Sequence, residues 1–203
     1  MLRKEQEARQ AQTWKLIGAL VVAIMFLGST VGFVFFYTGK NAQTQNGENG
    51  GVNQEYKGYK FVRVQGGWQT ETAEGILLAA YLPSEVLSIE CNCAELDTLS
   101  LRSQKTYFIA NSSAEIAAAN ELLRLQTFTR IQQACLPENA DAAGCEDLPL
   151  RSCENATAQA KVLIFSERAK NESVNYNNNC LILEGKNLIR AADRAIYKVY
   201  GIE

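Results

Sequence analysis

The 203-residue sequence contains no histidine. That absence excludes Ser-His-Asp and Cys-His nucleophile chemistry, and it removes the side chain that most often serves as general base or zinc ligand. Neither sign of charge dominates: 20 basic residues face 22 acidic ones, a net charge of -2 with a pI near 5.4. A nucleic-acid binder needs a basic face, so that class is set aside. The chain also lacks C-x-x-C, G-x-S-x-G, G-x-x-x-x-G-K-[ST], S-x-x-K and D-x-[DN]-x-[DN]-G. No catalytic residue, metal ligand set or cofactor is therefore expected, because each chemistry needs its own residue types at a set spacing. Hydrophobic residues at 47% and charged residues at 21% exclude a disordered or collagen-like chain.

What the chain does have is one long apolar run and six cysteines. Leu16 to Tyr37 is 22 residues without a charge. As a helix rising about 1.5 Å per residue it would span roughly 33 Å, matching a hydrocarbon core of about 30 Å. The run ends in bulky Phe35, Phe36 and Tyr37, with no small-residue cleavage site behind it. It is read as a retained transmembrane signal-anchor. Arg3, Lys4, Arg9 and Lys15 precede it and only Lys40 follows closely. The positive-inside bias places residues 1–15 in the cytoplasm and the C-terminal bulk outside the cell membrane. Within the run Gly28 and Gly32 form a G-x-x-x-G, whose small residues admit a second helix and so a homo-oligomer.

Cys91, Cys93, Cys135, Cys145, Cys153 and Cys180 all follow the anchor, on the side where disulfides persist. Their even number predicts three bridges. Cys91 and Cys93 are so close in sequence that each is expected to find a distant partner, whereas Cys153 and Cys180 are expected to staple neighbouring strands. Asn111, Asn155 and Asn171 begin N-x-[ST] sequons on the same side and are candidate glycosylation sites.

Residues 38–55 are rich in Gly, Asn and Gln and read as a flexible tether of roughly 23 Å. From Tyr56 the sequence alternates into three short strands separated by Gly66-Gly67 and Ala73-Glu74-Gly75, with Val62 and Val64 on the buried face and Pro83 ending the third. Trp68 reads as a packing residue. Residues 105–110 predict a strand, Ser112 with Glu115 a capping box, and the stretch from there to about Ala134 a helix. Residues 161–165 and 179–185 predict two further strands, and the asparagines at 175, 177, 178 and 179 a turn between them. A final helix places Leu188, Ile189, Ala192, Ile196 and Val199 on one face, away from Lys186, Arg190, Asp193, Arg194 and Lys198, and Gly201 stops it. The expected fold is α+β: one mixed sheet with two main helices and disulfides over residues 56–203, with the strands at 105–110 and 161–165 parallel.

GYKFVRVQGGWQTETAEGILLAAYLPSEV and NNNCLILEGKNLIRAADRAIYKVYGI resemble segments of uncharacterised single-pass surface proteins of archaea. The resemblance implies an archaeal surface setting and no assigned activity, cofactor or site residue. The expected function is a non-enzymatic, membrane-anchored extracytoplasmic module that binds or scaffolds a protein partner in the cell envelope. Two alternatives stand beside it: a pilin-like filament subunit, and a thiol-disulfide exchange protein using Cys91 and Cys93.

Overall fold

A computed structural model describes residues 52–203 other than Gln126. The expected cytoplasmic tail, the apolar run with Gly28 and Gly32, and most of the tether lie outside the described residues. Among those described, no helix is long and apolar enough to cross a membrane.

Residues 51–203 cluster as one unit. It begins with an antiparallel meander of four strands in sequence order: β1 (Asn53–Tyr56), β2 (Tyr59–Val64), β3 (Gly67–Thr72) and β4 (Gly75–Ala79). Lys57 and Gly58 both take positive φ, 47° and 85°, as a two-residue primed turn requires. The tether therefore ends earlier than its composition suggests. Asn53, Gln54 and Glu55 pair with Val62, Phe61 and Lys60. An edge strand held mainly by its backbone ladder has exposed polar side chains and leaves no apolar signal. The buried face of β2 is also the opposite of the one expected. Phe61 is buried while Val62 is exposed, because YKFVRV carries two apolar sets of opposite parity and the aromatic set faces the core. Trp68 is buried as expected, with the Arg63 guanidinium 5.0 Å from its ring centre.

β4 already ends at Ala79, ahead of Pro83, which instead opens a short helix, α1 (Pro83–Val86), at a position where its missing N–H is harmless. The larger sheet follows: β5 (Glu90–Asn92), β6 (Lys105–Ile109), β7 (Ile131–Gln133), β8 (Ala160–Ser166), β9 (Ser173–Asn177) and β10 (Cys180–Glu184). Its spatial order is β5-β9-β10-β8-β6-β7. Within it only β9 and β10 pair antiparallel, through Asn178 and Asn179 at φ 48° and 66°. The asparagine-rich stretch is thus mostly strand, and only its last two residues form the turn. β6 and β8 are parallel neighbours, as expected.

Among the described residues four helices accompany the two sheets: α1, α2 (Thr98–Leu101), α3 (Ser113–Leu123) and α4 (Leu188–Val199). The capping box on α3 is present, the Ser112 hydroxyl accepting from the Glu115 N–H at 3.1 Å and the Glu115 carboxylate from the Ser112 N–H at 3.1 Å. The helix stops at Leu123, well short of Ala134. Beyond it lie the β-branched Thr127 and Thr129 and a left-handed Arg130 at φ 46°, and Ile131–Gln133 joins the sheet beside β6. α4 closes in a Schellman arrangement: Gly201 N–H donates to Lys198 C=O at 3.1 Å and Ile202 N–H to Tyr197 C=O at 2.8 Å, with Gly201 at φ 66°.

The architecture is α+β with two sheets rather than the single sheet expected. Helices α3 and α4 pack on each other, and their buried Ala118, Ala119, Ala191 and Ala195 share one core with Phe61, Trp68 and Leu77 of the meander and Leu163, Leu181 and Leu183 of the large sheet. The far face of the large sheet carries Tyr107, Ile109, Val162 and Cys180, packed with Ala134, Leu136, Cys153 and Ala156. β8 is thus apolar on both faces, which is why it reads as an unbroken hydrophobic run.

Candidate functional site

Three features stand out for chemistry or recognition: a row of polar side chains on α4, the cysteine pairs, and a groove along β4. The first corrects the expected outer face of α4. Asp193 is fully buried and Arg194 nearly so. The segment leading from β4 to β5 lies over this flank, and its backbone polar groups need partners once removed from water. The Asp193 carboxylate accepts from the Tyr81 N–H at 2.8 Å, and the Tyr197 hydroxyl donates to the Tyr81 C=O at 2.5 Å. Arg190 donates to the Glu85 C=O at 2.6 Å and Arg194 to the Ile89 C=O at 3.4 Å. Burial pushes the Asp193 carboxyl up to about 8, against the pull of the Tyr81 amide. Burial raises the Tyr197 hydroxyl too, and the neighbouring Asp193 adds to it. The second Asp193 oxygen has no hydrogen-bond partner. Nothing in helical periodicity distinguishes these charges from solvated ones; only the overlying segment does.

The six cysteines stand in three pairs at disulfide distance. Cys153, in a short 3-10 turn ahead of β8, pairs with Cys180 at the start of β10, the pairing expected, and Cys135 pairs with Cys145. Cys91 and Cys93 pair with each other, Cα atoms 5.2 Å apart, instead of reaching distant partners. That separation lies within the range a bridge accepts, and β5 ends at Asn92, between the two cysteines. The sequence separations are 2, 10 and 27 residues. In the chain-entropy account they correspond to about 1.5, 3 and 3.5 kcal/mol of stabilisation. The Cys91–Cys93 bridge contributes least to the fold. Cys93 is buried and Cys91 half-buried, and both line a cleft of about 570 Å³ together with Tyr176, Arg194, Lys198 and Glu203. Glu203 accepts from Arg194 at 2.8 Å and Lys198 at 3.1 Å. Partial burial raises its carboxyl, but these two hydrogen bonds outweigh burial and hold it below the usual range.

The third feature lies on the meander. β4 is an edge strand with no partner on its outer side among the described residues. Ile76 and Leu78, two apart on β4, are 66% and 44% exposed. They border a groove of about 450 Å³ whose other wall includes Glu121, Arg124 and Arg102. Arg124 pairs with Glu121 at 3.0 Å. Burial raises the Glu121 carboxyl, and the Arg124 charge opposes it. Ile76, Leu77, Leu78 and Ala79 form an unbroken apolar run in the sequence, so no period singles out Ile76 and Leu78 as the outward pair.

Asn111, Asn155 and Asn171 are all exposed. The asparagine cluster does not converge on one point: Asn175 bonds Asn92 at 3.1 Å, and Asn179 takes up the ammonium of Lys161. Among the described residues, no group of three or more Cys, Asp and Glu side chains is placed to hold a metal ion. No family model, curated protein or solved structure matches the chain.

Proposed function

We propose that this chain is a membrane-anchored extracytoplasmic recognition domain that holds an extended segment of an envelope protein against the free edge of β4. The observation that carries the reading is the unpaired β4 edge with Ile76 and Leu78 exposed beside its groove. An unpaired strand offers a row of backbone donors and acceptors, and an added peptide strand satisfies them. Two exposed apolar residues at strand spacing select a partner with apolar residues at alternate positions. Charges of both signs on the groove wall favour a segment that carries both signs between them. The anchor at 16–37 and the cysteines beyond it support the external setting.

The test uses the full chain in detergent and a probe peptide that alternates valine with lysine and glutamate. Binding should slow amide exchange in residues 75–79, and Leu78→Lys should weaken it at least tenfold. Unchanged exchange there, or equal binding by the variant, refutes the reading. A dimer whose formation protects the same amides would make a second copy of the chain the occupant instead. The external setting is checked separately by protease treatment of intact cells, which should remove residues 51–203 and spare the N-terminus.

A further inference from the structure

We infer that Cys91 and Cys93 form a thiol-disulfide exchange site, with Cys91 the sulfur attacked, for dithiols carried on extended polypeptide segments. This site lies on the large sheet and stands independently of the β4 groove.

Three observations converge on it. The pair closes by far the shortest loop of the three, so opening it releases little of the constraint that the other two bridges impose. Both its cysteines line a cleft, and Cys91, though packed against the main core, is the half-buried one of the two. Of the other four, Cys153 is half-buried against the apolar cluster beneath the large sheet, and Cys135, Cys145 and Cys180 are buried. Exposed bridges are the labile ones. Finally, Cys91 sits on β5, the edge strand of the six-stranded sheet. An extended chain can lie along that edge and bring a thiol to the cleft.

The backbone around the pair is held without the bridge. β5 pairs with β9 in register, Cys91 opposite Val174 and Asn92 opposite Asn175. Cys93 C=O accepts the Leu96 N–H at 3.0 Å, and the Asn92 amide donates to Asn175 at 3.1 Å. The two sulfurs therefore stay close after reduction, and the bridge re-forms readily.

The exchange balances as follows in atoms and electrons. A donor thiolate attacks the Cys91 sulfur, a donor–Cys91 disulfide forms, and the Cys91–Cys93 bond breaks. Cys93 leaves as thiolate and takes the proton that the donor gave up. The donor's second thiol then attacks its own sulfur in the mixed disulfide and releases Cys91 as a thiol. The donor loses two electrons and two protons, and the protein gains both. A low-molecular-weight disulfide reverses the sequence and restores the bridge.

The full chain in detergent is equilibrated in glutathione buffers, quenched with acid, alkylated and mapped by mass spectrometry. The Cys91–Cys93 pair should open at a ratio of reduced to oxidised glutathione at least 100-fold below that needed for the other pairs. With oxidised glutathione in excess, the protein should speed oxidation of a two-cysteine peptide at least tenfold. Cys93→Ser should trap a mixed disulfide at Cys91, and Cys91→Ser should trap at least tenfold less. Opening of all three pairs together, no acceleration, or equal trapping would overturn the inference. The glutathione titration of the wild-type protein decides the matter alone if the variants do not fold.

Discussion

Replacing Asp193 with asparagine should change the sign of a stability difference across the neutral pH range. The wild-type carboxyl is fully buried and titrates at about 8 in the fold, against 3.8 as the ordinary value. A group whose folded pKa is raised binds its proton more tightly when folded. Its contribution is therefore fully present below pH 3.8 and is lost as pH rises to about 8. Each unit corresponds to about 1.4 kcal/mol, so the group withdraws about 4 kcal/mol of wild-type stability between pH 5 and pH 8. The amide of the Asp193→Asn variant cannot titrate. Its oxygen can keep the Tyr81 N–H, while its NH₂ takes the place of the oxygen that has no partner, at a cost of about 1–3 kcal/mol. The variant should fall below the wild type by about 1–3 kcal/mol at pH 5 and exceed it by about 1–3 kcal/mol at pH 9. The assay is urea denaturation of the full chain in detergent at pH 5, 7 and 9, followed by fluorescence, to which the buried Trp68 contributes. Differencing the two proteins removes the titration of Glu121 and Glu203. Parallel stability profiles for variant and wild type would refute the assignment of a buried, proton-holding Asp193.

Two further sets of substitutions separate backbone and covalent effects. Gly185→Ala places a Cβ 2.6 Å from the Glu172 Cα at φ 128°, whereas Gly66→Ala, at φ 89°, meets nothing within 4 Å. The first should cost about 3 kcal/mol and the second about 1 kcal/mol, read from urea midpoints, and equal costs would sink the argument from backbone contact. Removing the Cys153–Cys180 bridge by double serine substitution should destabilise the fold by about 3.5 kcal/mol, and removing Cys91–Cys93 by about 1.5 kcal/mol. The reverse order in thermal melts would show that the short bridge is structural after all.

Certain elements were legible from local pattern. The strands at 105–109, 160–166 and 180–184 are rich in apolar and β-branched residues over their full length, because the first is largely buried and the other two are inner strands with core on both faces. Helix α4 carries its stripe and its stop glycine, and α3 its capping box. Other elements left no such trace. β1, β5 and β7 are short edge strands whose side chains are exposed or only half-buried, so their existence depends on the strand beside them. The same holds for the burial of Asp193 and Arg194. A helical projection places them outside, and only the chain running from β4 to β5 covers them.

Residue order was enough to set the composition class, the place of the apolar run, the α+β character and the elements whose burial writes a period into the chain. Packing in three dimensions settled that there are two sheets, that α4 buries Asp193 and Arg194, that Cys91 pairs with Cys93, and that β4 and β5 keep a free edge among the described residues. The reason is physical: periodicity records how much of one element is buried, while pairing, register and edge position are set by neighbours distant in the chain.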